Sequence, residues 1–165
     1  MAYSVPPSSE PSVALFSSST AKVLLTTGTT LGYDTNATYN SPIVVNSFNA
    51  PSNISTFTIG ASGLYSIEAN TAVAANGSTW ANPLRTLNLR LTRGGTTVTM
   101  SGMTANITSG VDYTLHSSCV FPLKVGDTIQ VQHTGTIATG SPTALGLQNT
   151  FDLNTWIVFQ YIKSV

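Results

Sequence analysis

Two histidines, one cysteine, six carboxylates and six basic side chains must carry any acid–base, thiol or metal chemistry in this 165-residue chain. The carboxylates stand at Glu10, Asp34, Glu68, Asp112, Asp127 and Asp152, with no close pair among them. Asp112 and His116 fall on one face of a strand, but four residues of extended chain separate them by about 13 Å, too far to clasp one metal ion directly. His116 reads as a surface residue on a polar face, and His133 ends an apolar face begun by Ile129 and Val131. Cys119 lies on the core-facing side between Leu115 and Phe121, where a thiol acts as a small apolar group. Arg85, Arg90 and Arg93 form the nearest thing to a basic cluster; as edge charges on a strand they keep a sheet soluble, with binding of an anionic sugar as the alternative. Gly126-Asp127 separates two alternating segments, so Asp127 reads as a turn residue that accepts a local hydrogen bond. Poised acids, bases and nucleophiles are what enzymes need. The sequence predicts no catalytic residue, no metal ligand and no cofactor, and the chain is expected not to be an enzyme.

The segments that position these residues alternate with period two. Tyr65, Ile67, Ala69 and Val73 share a face opposite Ser66, Glu68 and Asn70. Leu87, Leu89 and Leu91 alternate with Asn88 and Arg90, and Gly94-Gly95 follows as a turn. Tyr113, Leu115, Cys119, Phe121 and Leu123 alternate with Thr114, His116 and Ser118. One apolar and one polar face mark half-buried antiparallel strands. No window of useful length shows a helical period. An all-β antiparallel sandwich or barrel of about eight to ten strands is predicted, with residues 1–12 as an extended Pro/Ser-rich arm and 13–165 as one domain.

Bulk composition narrows the function. Charged residues make up 7% of the chain and the formal net charge is zero, which leaves no basic stripe for a nucleic acid. Apolar runs fall far short of the ~20 residues that span a bilayer. Met1-Ala2-Tyr3-Ser4-Val5-Pro6-Pro7 lacks the cationic start and apolar stretch of a secretory signal. Near-zero net charge favours self-association. The last segment, Trp156-Ile157-Val158-Phe159-Gln160-Tyr161-Ile162, is apolar on both faces. One face can enter the core; the other needs a cover, either a second subunit or a long loop such as 28–41 or 135–150. Sequons at Asn36, Asn53, Asn76 and Asn106 are about as many as this Ser, Thr and Asn content produces by chance.

The order of several motifs resembles the globular-head jelly roll shared by complement subcomponents and the tumour-necrosis-factor (TNF) superfamily. Phe57-Thr58-Ile59 followed by Gly63-Leu64-Tyr65 resembles the family's strand corner. Leu87-Asn88-Leu89-Arg90-Leu91 with Gly94-Gly95 resembles its central hairpin. Leu123 to Val131, with Gly126-Asp127 inside, resembles its Leu-x-x-Gly-Asp strand pair, and Asn149-Thr150-Phe151 precedes the final strand. The likeness spans about residues 43–162 and is nearest to microbial and viral members, including spore-surface glycoprotein heads. It implies an antiparallel jelly-roll sandwich that forms a homotrimer. With the doubly apolar last strand, it places Tyr65, Trp156, Val158, Phe159 and Tyr161 at the oligomer interface.

The expected function is a non-enzymatic structural or attachment protein on a particle surface such as a virion, with a spore-surface or soluble binding module for carbohydrate or protein as the alternative. Expected partners are copies of the chain, other particle-surface proteins through the amino-terminal arm, and a glycan or host receptor. No nucleic acid and no membrane span are expected.

Overall fold

A computed structural model describes residues 13–19, 22–24, 28–37, 43–145 and 155–164. The predicted arm 1–12 and the Asn149-Thr150-Phe151 motif lie outside the described residues. These contain fifteen strands: β1 (Val13–Ser17), β2 (Lys22–Val23), β3 (Thr29–Thr30), β4 (Thr35–Ala37), β5 (Val44–Asn49), β6 (Ile54–Ile59), β7 (Gly63–Ala74), β8 (Thr79–Trp80), β9 (Leu84–Arg93), β10 (Thr96–Asn106), β11 (Tyr113–Leu123), β12 (Thr128–Thr134), β13 (Ile137–Thr139), β14 (Thr143–Ala144) and β15 (Thr155–Lys163). The longer ones, β1, β5, β6, β7, β9, β10, β11, β12 and β15, make up the expected eight to ten. The rest are pairs and triplets of residues too short to carry a period.

Two antiparallel sheets face each other. The first runs β4-β1-β15-β7-β11, with β14 and β2 continuing the line of β15 and β1 beside the far end of β7. The second runs β5-β6-β12-β9-β10, with β3 continuing β6 along β12. A small third sheet pairs β8 with β13. Along the chain the long strands cross repeatedly from one sheet to the other, the winding of a jelly roll.

The alternation read from sequence becomes the core. Phe57 on β6 is its hub, with ring centroids 5.0 Å from Phe16, 5.5 Å from Tyr33 and 5.2 Å from Phe159. Ile67, Leu87, Leu89, Leu115, Ile129 and Val131 close around it, all buried. Rings tilted at these separations add about 1 kcal/mol each beyond area burial.

The corner at 60–62 carries the chain between sheets. Tyr65 then enters the core, and its hydroxyl donates to the carbonyl of Ala61 at 2.7 Å. Gly63 is required there for proximity rather than for an unusual φ: a Cβ would lie 2.3 Å from the Tyr161 ring and 2.8 Å from the carbonyl of Lys163. At the other corner Gly126 does take a positive φ of 84°.

Asp127 is more than a turn residue. It accepts the amide of Lys124 at 2.8 Å, as expected, and also holds Arg93 through Nε at 2.9 Å and a terminal guanidinium nitrogen at 2.5 Å. Arg93 therefore ties the end of β9 to the β11–β12 turn, and the edge-charge expectation for it is corrected. Burial pushes the Asp127 carboxyl up, but hydrogen bonds from Arg93 and Lys124, with their charges, outweigh it and hold the pKa below 3.8. A carboxyl depressed on folding stabilises the fold above its unfolded pKa and loses that contribution as pH falls through the folded value. Asp127→Asn should cost about 2 kcal/mol at neutral pH, within the range for hydrogen bonds to charged groups. Denaturation series from neutral pH down through the acid range should show wild type and variant converging as the carboxylate protonates; a constant gap would assign the loss to packing.

Candidate subunit interface

The outer face of the first sheet is built from every second residue of β1, β15, β7 and β11. Cross-strand register sets Leu15, Val158, Glu68 and Ser118 in one row and Trp156, Asn70 and His116 in the next. A third row holds Val13, Gln160, Ser66 and Val120, and Leu64 stands opposite Pro122. Trp156, Val158, Leu15 and Leu64 are half-buried, and Val120 is 59% exposed. In the middle of the face Glu68 Oε2 stands 3.6 Å from His116 Nε2, beside which the Trp156 ring lies 6.0 Å from the imidazole.

The register separates the five expected interface residues. Trp156 and Val158 lie on the outer face. Tyr65 and Phe159 lie on the inner one, at 0% and 1% exposure, and are corrected to core residues: side chains already covered by their own subunit have no surface left to give a partner. Tyr161 also points inward, edge-on to Tyr65 at 5.3 Å, and is only partly covered. Within the described residues 28–37 and 135–145, Thr35–Ala37 pairs along β1 and Thr143–Ala144 along β7, so both extend the sheet.

A second surface meets this face at its edge. β10 and β11 are the edge strands of the two sheets and lie side by side, bridged by Ser101 Oγ donating to the Ser118 carbonyl at 2.8 Å and Ser117 Oγ to Ser101 Oγ at 3.1 Å. Between them runs a cleft of about 490 Å³ lined by Ser101, Gly102, Met103, Thr114, His116, Ser117 and Ser118. Met103 and Val98 expose 47% and 48% of their surface on β10. His116 belongs to both cleft and face, so the two are continuous. Among the described residues no three of His, Cys, Asp and Glu gather where one metal ion could be held.

No protein-family model matches the sequence, and no curated protein matches it as a relative. Solved structures do match. Murine APRIL at pH 8.5 superposes with a TM-score of 0.64 at 11% identity, covering 91% of this chain and 98% of that one. Murine APRIL at pH 5.0 gives 0.65 at 12% identity with the same coverage. Eiger TNF from S. frugiperda gives 0.56 at 13% identity, covering 93% of each. The fold is the TNF-like jelly roll. The resemblance seen in the motifs from residue 43 onward thus extends to the strand order of nearly the whole chain.

At one end of this jelly roll lies a cluster the sequence reading missed. Arg85 is fully buried. It sits 4.1 Å over the Trp80 ring and donates to the carbonyls of Asn82 at 2.7 Å, Leu84 at 2.7 Å and Thr136 at 3.1 Å. Gly135 makes room for it, since a Cβ there would fall 2.5 Å from the guanidinium. Trp80 donates its indole N–H to Thr108, and its ring stands edge-on to Tyr113 at 6.0 Å. The Tyr113 hydroxyl lies 2.8 Å from Nε2 of His133, itself 2% exposed. Burial, and then the charge of Arg85, pull the imidazole down to about 4. Burial pushes the Tyr113 phenol up to about 12 against the opposing pull of Arg85, and the same burial lowers Arg85. The edge-charge expectation for Arg85 is thereby overturned.

Proposed function

We propose that this chain is a non-enzymatic homotrimeric attachment module of a particle surface, with a virion as the particle. The observation that carries the trimer is the outer face of the first sheet: an apolar cluster of Trp156, Val158 and Leu15, with Leu64 beyond the Gln160–Ser66 row, and Glu68 beside His116 in its middle. A face this poor in charge is suited to cover by another protein surface. The exposed Met103 and Val98 on the β10–β11 edge offer a different surface to meet it. Contact between two different patches is heterologous, and three copies close it into a ring. TNF-like topology and the Ser-, Thr- and Asn-rich neutral surface support the same reading. The loops at the ends of the sandwich remain free to recognise a glycan or receptor, and the arm 1–12 serves as the tether.

Light scattering on the purified chain should give three times the monomer mass, and cross-linking should join β15 of one copy to β10 or β11 of the next. A monomer at working concentration would overturn the trimer. A trimer absent from purified particles, but retained on a glycan array, would replace the particle role with that of a soluble binding module.

A further inference from the structure

We infer that the end of the sandwich around Arg85 is an acid-released latch, in which protonation of His133 frees the turns that Arg85 and Trp80 hold together. Three chain segments converge there. Arg85 binds carbonyls in the 82–84 segment and in the turn before β13. Trp80, stacked on it, holds the β10–β11 loop through Thr108, and its backbone amide is held by the Ser109 hydroxyl at 3.1 Å. Ala81 donates to Thr136 at 3.1 Å, and Gly110 to Ser78 at 2.9 Å. These contacts are polar, and their natural competitor is water.

His133 stands behind this arrangement. Its strand neighbours are Leu87 on β9 and Thr29 on β3. Tyr113 on β11 faces its Nε2, and Arg85 on β9 is the charge that acts on it. The carboxylate next to Tyr113 in the chain, Asp112, is engaged by the amide of Ala75 at 2.9 Å. Among the described residues no carboxylate pairs with Arg85 or His133. Nδ1 of His133 is buried with no hydrogen-bond partner. With its proton on Nε2, donated to the Tyr113 oxygen, the neutral ring leaves Nδ1 as one unused acceptor. A protonated ring carries two N–H donors, one of them aimed at no acceptor, and adds a second positive charge beside a buried guanidinium. The ring can then be charged only by turning toward water, which breaks the Tyr113 link and removes the support on which Trp80 rests.

A histidine whose folded pKa lies below the unfolded 6.5 keeps the closed state favoured at neutral pH and loses that advantage as pH falls. Between 6.5 and about 4 the open state takes up a proton that the closed state refuses, so opening rises by up to about tenfold per pH unit. The window lies above that of Asp127, whose contribution is lost only below 3.8 at the opposite end of the sandwich.

Hydrogen exchange read by mass spectrometry on the intact chain, corrected for intrinsic rate, tests this from about pH 7 to about pH 4.5. Residues 78–84, 107–112 and 134–140 should lose protection with a slope near one proton, while β6 and the centre of β7 keep theirs. His133→Gln should flatten that slope, and His116→Gln should leave it unchanged. Should His133→Gln fail to fold, the wild-type slope with the His116→Gln control still decides. A flat wild-type profile, a loss of protection shared by all strands, or a slope that disappears in His116→Gln would each overturn the latch.

Discussion

Trp156→Asp should yield a folded monomer, whereas Phe159→Asp should yield no folded protein. The two positions are three residues apart on one strand and were expected at the same interface. Register divides them. Phe159 pairs with Ile67 on the inner face, 1% exposed, with ring neighbours Phe16 and Phe57. Truncating such a ring costs about 3–5 kcal/mol, and a carboxylate in its place must be buried unpaired or protonated at further cost. The sum is comparable to the whole stability of a domain, roughly 5–15 kcal/mol. Trp156 pairs with Asn70 on the outer face and keeps part of its ring exposed in the subunit, so a carboxylate there can reach water and the fold loses about 3–4 kcal/mol of apolar cover with no buried charge. In the trimer the same change places an unpaired carboxylate in a buried contact near Glu68, costing on the order of 3–5 kcal/mol at each interface. Light scattering and far-ultraviolet circular dichroism on both variants read the difference. A trimeric Trp156→Asp would move the interface off this face, and a folded monomeric Phe159→Asp would show that the ring lies outside the core.

Sequence alone cannot separate these two residues, for a physical reason. In β7, β11 and β12 one face is polar, so alternation alone settled which side is buried, and the structure agrees from Tyr65 to Val131. β15 is apolar on both faces, and period two then carries no information about which set faces the core. Pairing with β7 supplies it, and pairing is a long-range property. Arg85 is hard to place from sequence for a different reason. It continues the inward set Leu87, Leu89, Leu91 with correct period, but an arginine is so seldom buried that its type points outward where its position points in. A buried arginine needs acceptors, and those here are main-chain carbonyls of turns that sequence cannot place. The pairing of Arg93 with Asp127, 34 positions apart, and the two-residue strands β2, β3, β8 and β14 are illegible on the same grounds: neither leaves a periodic trace.

Arg85→Lys should destabilise the chain at least as much as Arg85→Met, the reverse of what an edge charge would do. Lysine keeps the charge but not the shape. A guanidinium is planar, weakly hydrated and forked; it can stack on Trp80 while two of its nitrogens reach three carbonyls. An ammonium is a point donor with a stronger hold on water, so its burial costs more and satisfies fewer acceptors. Methionine leaves the three carbonyls without Arg85 as well, but buries no charge. We expect losses of about 3 kcal/mol for either variant, which for a chain of this size lowers Tm by roughly 6–12 °C. Arg90→Lys is the control: Arg90 makes one hydrogen bond, to Gln132 at 3.2 Å, from a partly exposed position, and should change stability by less than about 0.5 kcal/mol. Calorimetric melting of the three variants decides, and an Arg85→Lys protein with wild-type Tm would deny the guanidinium its structural role. The methionine variant also bears on His133. Removing the positive charge takes away the second cause of the depressed imidazole pKa and leaves the first, burial, in place. The folded pKa should therefore rise without reaching 6.5, and the pH range over which this end of the sandwich loosens should narrow from its acid side.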